Sequence, residues 1–249
     1  MSSPPPSEDR SQVENRDPAN LKKHEMQMRY NSESYTKIYD GRYRQLQVDK
    51  WRVLQPYFPN LRGYWLDFGC GTGLTWEATT SYASPTPSTH SLSSSQLPSS
   101  PTTSLSSSPT PYRYIGCDLA RGMLHQFLPK LSSLYEQLGD NAKPTPVNLI
   151  CCDGEYLPLR NTLFDAVISF TTLQNLPHPS QGIAEMMRVA TSAAPLGISV
   201  LQKSLRRYRW EELLDGRASL TNRKVRTLNE NERVYQEDWV FLITPIAEI

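Results

Sequence analysis

Three short stretches of this 249-residue chain have the residue types and spacing to do chemistry: Asp67-Phe68-Gly69-Cys70-Gly71-Thr72-Gly73, Asp118, and Asp153-Gly154. Three glycines in five positions permit a tight turn and let a ligand approach the backbone closely. A helix opening just after such a turn aims free N–H groups and its positive dipole end at the ligand, which favours an anion. The pyrophosphate of a dinucleotide would satisfy it. So would the carboxylate of an amino-acid-bearing nucleoside, whose ammonium then needs an acceptor such as Asp67 or the Gly69 carbonyl. The glycines read G-x-G-x-G, with Leu74 where a dinucleotide fingerprint would place its third glycine. Asp118 is the kind of acid that holds ribose hydroxyls. It follows Asp67 by 51 residues, against roughly 20 expected from the fingerprint glycines to that acid. The excess matches the 31 residues of 81–111, which are almost pure Ser, Thr and Pro. A segment inserted there leaves the site intact. Asp153 can accept a hydrogen bond from an adenine amino group, a third acid that dinucleotide sites do not usually need.

The elements that must position these residues alternate. Apolar runs at 63–68, 113–118, 147–152, 164–170 and 196–201 read as strands. Helical spacing covers 21–58, rich in tyrosine, then 74–80, 123–138 and 181–191. The tail 229–249 is expected to add two further strands. Alternation of strand and helix implies parallel strands joined by right-handed crossovers. The expected fold is α/β: a Rossmann-like, doubly wound, mostly parallel seven-stranded sheet with helices on both faces. Ligands bind such sheets at the carboxyl ends of the strands, where strand order reverses. Asp67, Asp118, Asp153 and the stretch Ser169 to Asn175 all fall at such ends. Residues 1–20 read as a disordered tail and 81–111 as a disordered insertion, because neither can bury enough apolar surface to offset its ordering entropy. Residues 21–249 then form one domain.

Trp65 to Gly73 looks like the first motif of class I S-adenosylmethionine-dependent methyltransferases. Tyr114-Ile115-Gly116-Cys117-Asp118-Leu119-Ala120-Arg121-Gly122-Met123-Leu124 resembles their second. Cys152-Asp153-Gly154-Glu155-Tyr156-Leu157-Pro158-Leu159 and Phe164-Asp165-Ala166-Val167-Ile168-Ser169 resemble their third and fourth. The chain is most similar to the broad type 11 group, which includes quinone-biosynthesis enzymes, over about residues 35–202. The resemblance implies S-adenosyl-L-methionine as cofactor and a methyltransferase domain over 21–249. It implies that Asp67, Gly69 and Gly71 contact the methionine part, Asp118 the ribose, and Met123 the adenine face. Asp153 and Gly154 would meet the adenine edge, Ser169 and Phe170 the sulfonium. Tyr35 or Tyr39 would close over the cofactor. The motifs specify no acceptor.

Methyl transfer is an in-line displacement driven by the sulfonium, so the protein mainly holds the nucleophile aligned. Candidates to orient or deprotonate it are Gln174, Asn175 and His178. After the fourth strand the chain reads Phe170-Thr171-Thr172-Leu173, not the Asp/Asn-Pro-Pro-Tyr/Phe run found in many enzymes that methylate base amines. The alternative function is a catalytically silent, cofactor-binding regulatory subunit; an NAD-dependent oxidoreductase is disfavoured by the glycine spacing.

Net charge is +1, so no global field points to nucleic acid or membrane. The charge is uneven, however. Residues 21–52 hold eight Lys/Arg against four Asp/Glu, and 203–233 hold nine against five. These basic segments are expected contacts for an RNA or protein acceptor, with Arg206, Arg207, Arg209, Arg223, Lys224 and Arg226 facing phosphates or acidic side chains. The four cysteines form no CxxC pair, which argues against zinc and for reduced structural thiols. The N-terminal stretch lacks the apolar core of a signal peptide, and no apolar run approaches the ~20 residues of a membrane helix. The expected location is cytoplasmic.

Overall fold

The computed structural model describes residues 17–58, 62–83, 112–138, 145–228 and 238–246. The expected disordered tail, apart from 17–20, and the expected insertion, apart from 81–83, lie outside the described residues. Within them, seven strands form one sheet: β1 (Tyr64–Phe68), β2 (Arg113–Asp118), β3 (Val147–Cys151), β4 (Ala166–Phe170), β5 (Leu196–Leu201), β6 (Arg223–Thr227) and β7 (Asp238–Pro245). Their order is β3-β2-β1-β4-β5-β7-β6. Strands β1 to β5 run parallel to one another, and β7 lies antiparallel between β5 and β6.

Six helices accompany the sheet: α1 (Pro18–Asn31), α2 (Glu33–Leu54), α3 (Leu74–Ala83), α4 (Arg121–Leu138), α5 (Pro179–Val189) and α6 (Trp210–Ser219). Side chains alternate across a strand, and the neighbours Trp65 and Leu66 of β1 duly enter different cores. On one face Trp65, Tyr114, Ile168 and Val240 pack against Trp51 and Leu54 of α2, Trp76 of α3 and Phe127 of α4. On the other, Leu66, Val167, Ile198 and Phe241 pack against Ile183 and Met186 of α5 and Trp210 and Leu214 of α6. Trp51, Phe58 and Trp65 meet with ring centroids 5.5–5.8 Å apart, the offset and edge-on range that aromatic pairs favour.

Several elements differ from the sequence expectation. The tyrosine-rich stretch is two helices. The first begins at Pro18, three residues early, because the Asp17 side chain caps the Ala19 amide at 3.1 Å and Pro18 suits a first turn. The break falls at Ser32, whose extended backbone (ψ 124°) starts α2. Of the two strands expected within 229–249, one is β7; the other, β6, comes earlier. The sequence of β6, Arg-Lys-Val-Arg-Thr, reads as a charged loop, yet a sheet edge tolerates exposed polar residues. Arg223 is 4% exposed and donates to the Ala194, Thr191 and Ser192 carbonyls, so it ties β6 to the turn before β5 and is no partner contact. Among the described residues, no helix is long and apolar enough to cross a membrane.

Candidate cofactor site

From β1 the chain order runs outward both ways, to β2 and β3 on one side and to β4 and β5 on the other. Connections leaving a sheet to opposite sides open a crevice at the carboxyl ends of the central strands. A cavity of about 810 Å³, part of it open to solvent, lies there. That is within the size range of cofactor sites, ~300–1,000 Å³.

The glycine turn forms one wall. Its Gly69 and Cys70 amides both donate to the Cys117 carbonyl, at 2.8 and 2.9 Å, which ties it to the end of β2. Gly69 has φ 78°, and a Cβ there would stand 2.2 Å from the Thr172 hydroxyl oxygen. Only glycine fits that geometry. Gly71 donates its amide to Asp118 Oδ2 at 2.9 Å, and Asp118 Oδ1 accepts from the Ala120 amide at 2.8 Å. Burial raises the Asp118 carboxyl above its ordinary value, and these backbone donors oppose the rise. Each Asp118 oxygen keeps a lone pair for a further donor, and the residue lines the cavity.

Met123, Asp153, Gly154 and Phe170 line the same cavity, so seven expected cofactor residues, with Gly69, Gly71 and Asp118, surround one space. Met123 is 2% exposed and also belongs to the packed interior. Asp153 is fully engaged: its Oδ1 accepts from the Glu155 amide at 2.9 Å, and Lys23 of α1 reaches its Oδ2 at 2.6 Å. Lys23 also pairs with the buried Glu155 at 2.6 Å.

Three expected residues do not line the cavity. Asp67 lies one layer beneath the turn, 1% exposed, and accepts a hydrogen bond from the buried Tyr114 hydroxyl. Burial pushes its carboxyl up to about 7, the charge of Asp118 adding to the rise and the Tyr114 donor opposing it. Ser169 is buried and alternates to the face away from Phe170, which fills the cavity wall in its place. Tyr35 stands behind Tyr30 and Tyr39, its ring 5.2 and 5.8 Å from theirs. Tyr39, named beside it, is the one at the cavity, with Tyr30. Burial raises the Tyr39 phenol well above its ordinary value, keeping it neutral.

The three candidates for orienting a nucleophile part company. His178 is exposed and away from the cavity; its amide donates to Glu155 Oε1 at 2.5 Å. Gln174 also lies outside the cavity and donates to the Thr171 carbonyl at 2.6 Å. Asn175 lines the cavity, donating to the Thr171 carbonyl at 3.3 Å and to the Tyr30 hydroxyl at 3.4 Å. Thr171 itself has φ 55°, a left-handed conformation that is rare for a β-branched residue. Two amide side chains thus hold a strained turn at the end of β4, where such strain is typical of functional sites.

Sequence reasoning missed the α1 contribution: Lys23, Met26, Gln27 and Tyr30 all line the cavity. The helix has no buried residue and a polar composition, so no periodic signal marked it. The donor set suits an adenosyl sulfonium. Carboxylates stand at the ends of two adjacent strands, apolar Met123 and Phe170 offer flat contacts, and aromatic rings attract a cation.

Residues 98–196 match the family profile described as a methyltransferase domain. No curated protein matches the chain. Among solved structures, a SAM-dependent methyltransferase from Aquifex aeolicus is 17% identical, with TM-score 0.57 over 86% of this chain and 98% of that one. Magnesium protoporphyrin IX methyltransferase from Synechocystis, with bound SAM, is 14% identical, with TM-score 0.61 over 93% and 100%. The [4+2]-cyclase SpnF is 12% identical, with TM-score 0.52 over 81% and 82%. At these identities the likeness speaks to the fold, and the cyclase carries that fold too.

Proposed function

We propose, from the premise that residues 98–196 of this chain form a methyltransferase domain, that it is an S-adenosylmethionine-dependent methyltransferase whose methyl acceptor approaches past Phe170, Thr171 and Asn175. The observation that carries this reading is the joining of glycine turn and β2 acid at one cavity. The Gly71 amide donates to Asp118, and both residues face the space that Asp153, Met123 and Phe170 complete.

When bound, the cofactor supplies an activated methyl, and the chain's residues hold it. Asp118 accepts from the ribose hydroxyls while its backbone donors fix the carboxylate. Met123 packs against the adenine, and the Asp153-Gly154 edge meets its amino group. Tyr30, Tyr39 and Phe170 give the sulfonium an aromatic surround that favours its charge. Asp67 acts through the turn from below. The α1 helix closes the cavity from above and excludes water. Asn175, at the lip, is the side chain placed to orient a nucleophile. His178 and Gln174 are assigned no part in the reaction.

Four cysteines without a disulfide suit a cytoplasmic setting. Incubating the protein with methyl-labelled cofactor and fractionated cell extract tests the activity. Label should pass to one fraction, and Asp118→Ala should abolish the transfer. No transfer to any fraction despite bound cofactor would favour the silent-subunit reading.

A further inference from the structure

The end of β5 lies beside that of β4, so the short 3-10 turn that continues it, Gln202–Arg206, stands on the acceptor side of the cavity. Lys203 and Arg206 are exposed on this turn and have no acidic partner among the described residues. Three apart on a 3-10 helix, they share one side. Arg207 follows, its guanidinium 5.2 Å from the centre of the Tyr208 ring. From the other direction α1 brings Lys22, which donates to the carbonyl of Leu176, a cavity-lining residue, at 2.5 Å. Burial lowers the Lys22 ammonium, and the nearby Arg207 charge lowers it further. The acid that offsets this, Glu155, is already engaged by Lys23 and by the His178 amide.

Two like charges from separate elements therefore meet at the cavity lip. Such an arrangement is unfavourable alone and is relieved by an anion between them. The other expected basic contacts are used elsewhere. Arg209 pairs with Glu212 at 2.8 Å, Arg226 bonds Tyr57, and Arg223 is buried against carbonyls.

We propose that Lys22 and Arg207, with Lys203 and Arg206 behind them, form a subsite for an oxyanion group of a small acceptor, a carboxylate or a phosphate. The subsite rests on the methyltransferase reading: it anchors the acceptor's charged end at the lip while the nucleophile reaches inward past Phe170. An acceptor held this way is small, because α1 covers the cavity beside it.

The test uses the full chain, with and without saturating S-adenosylhomocysteine. Inorganic phosphate and acetate are titrated while the backbone amide resonances of Leu176, Ser204 and Arg207 are followed. One or both anions should shift these amides to saturation, and phosphate alone or acetate alone doing so identifies the acceptor's group. Lys22→Gln and Arg207→Gln should each weaken the anion about fivefold or more, the scale of a lost charge-assisted contact. Arg209→Gln should leave anion binding unchanged, and every variant should bind S-adenosylhomocysteine like the parent. The proposal is overturned if neither anion moves these amides, if Lys22→Gln and Arg207→Gln bind as the parent does, or if only a single-stranded RNA shifts them. Failure to bind S-adenosylhomocysteine, with anion binding intact, would instead remove the methyltransferase reading and leave the subsite standing.

Discussion

The Gly71 amide and the Asp118 carboxylate are hydrogen-bonded at 2.9 Å, so the glycine turn after β1 and the acid ending β2 move as one unit. Asp118→Asn keeps an acceptor for Gly71 but loses the charge; Asp118→Ala loses both. Affinity for S-adenosylhomocysteine should fall by about 2 kcal/mol in the alanine variant, roughly 30-fold, and by less in the asparagine variant. Calorimetry of the two side by side checks the order.

Asp67 carries a pH signature. Its carboxyl sits near 7 in the folded protein, against an ordinary value of 3.8. The folded state therefore holds the proton more tightly than the unfolded one. The associated stability is fully present below about pH 4 and is lost as pH rises towards 7, a difference of a few kcal/mol at most. Urea midpoints measured from pH 4 to 8 should show this decline in the parent relative to Asp67→Asn, in which the group cannot titrate. Parallel curves for the two proteins would place the Asp67 carboxyl elsewhere on the scale.

Gly69→Ala combines a left-handed backbone with a Cβ only 2.2 Å from Thr172. The turn must shift to accept it. We expect a loss of about 1–3 kcal/mol in stability, the scale of a strained position or overpacked site. Cofactor affinity should drop with it, because Thr172 and Gly69 both line the cavity. Gly41→Ala, where no atom lies within 4 Å, is the control.

The Lys23 bridge to Asp153 and Glu155 is what holds α1 against the strand ends. Removing it with Lys23→Gln should raise amide exchange across Pro18–Asn31 and speed dissociation of S-adenosylhomocysteine several-fold. An unchanged exchange rate would mean that Lys22 and the tyrosine contacts suffice to hold the helix.

Strand ends were legible because polar residues that close apolar runs stand out: Asp118, Asp153 and the glycines of the turn all reach the cavity. Facing was less legible. Asp67 and Ser169 end or nearly end their strands, yet alternation turns them away from the ligand space, and sequence alone does not say which face of β1 or β4 lies inward. The tyrosines pose the same difficulty on a helix, where Tyr35 and Tyr39 share a face but sit at different depths. Helices α1 and α6 escaped for different reasons. The first buries nothing of its own and works by ion pairs. The second, with Trp210, Leu214 and Ala218 inward, is a short apolar stripe inside a strongly charged segment.

Calorimetric titration of the purified chain with S-adenosylhomocysteine, and separately with NAD, tests the central claim most directly. The account predicts saturable binding of the first, with an affinity in the range of about 1–100 μM, and no detectable heat from the second. Binding of NAD, or indifference to S-adenosylhomocysteine, would contradict it.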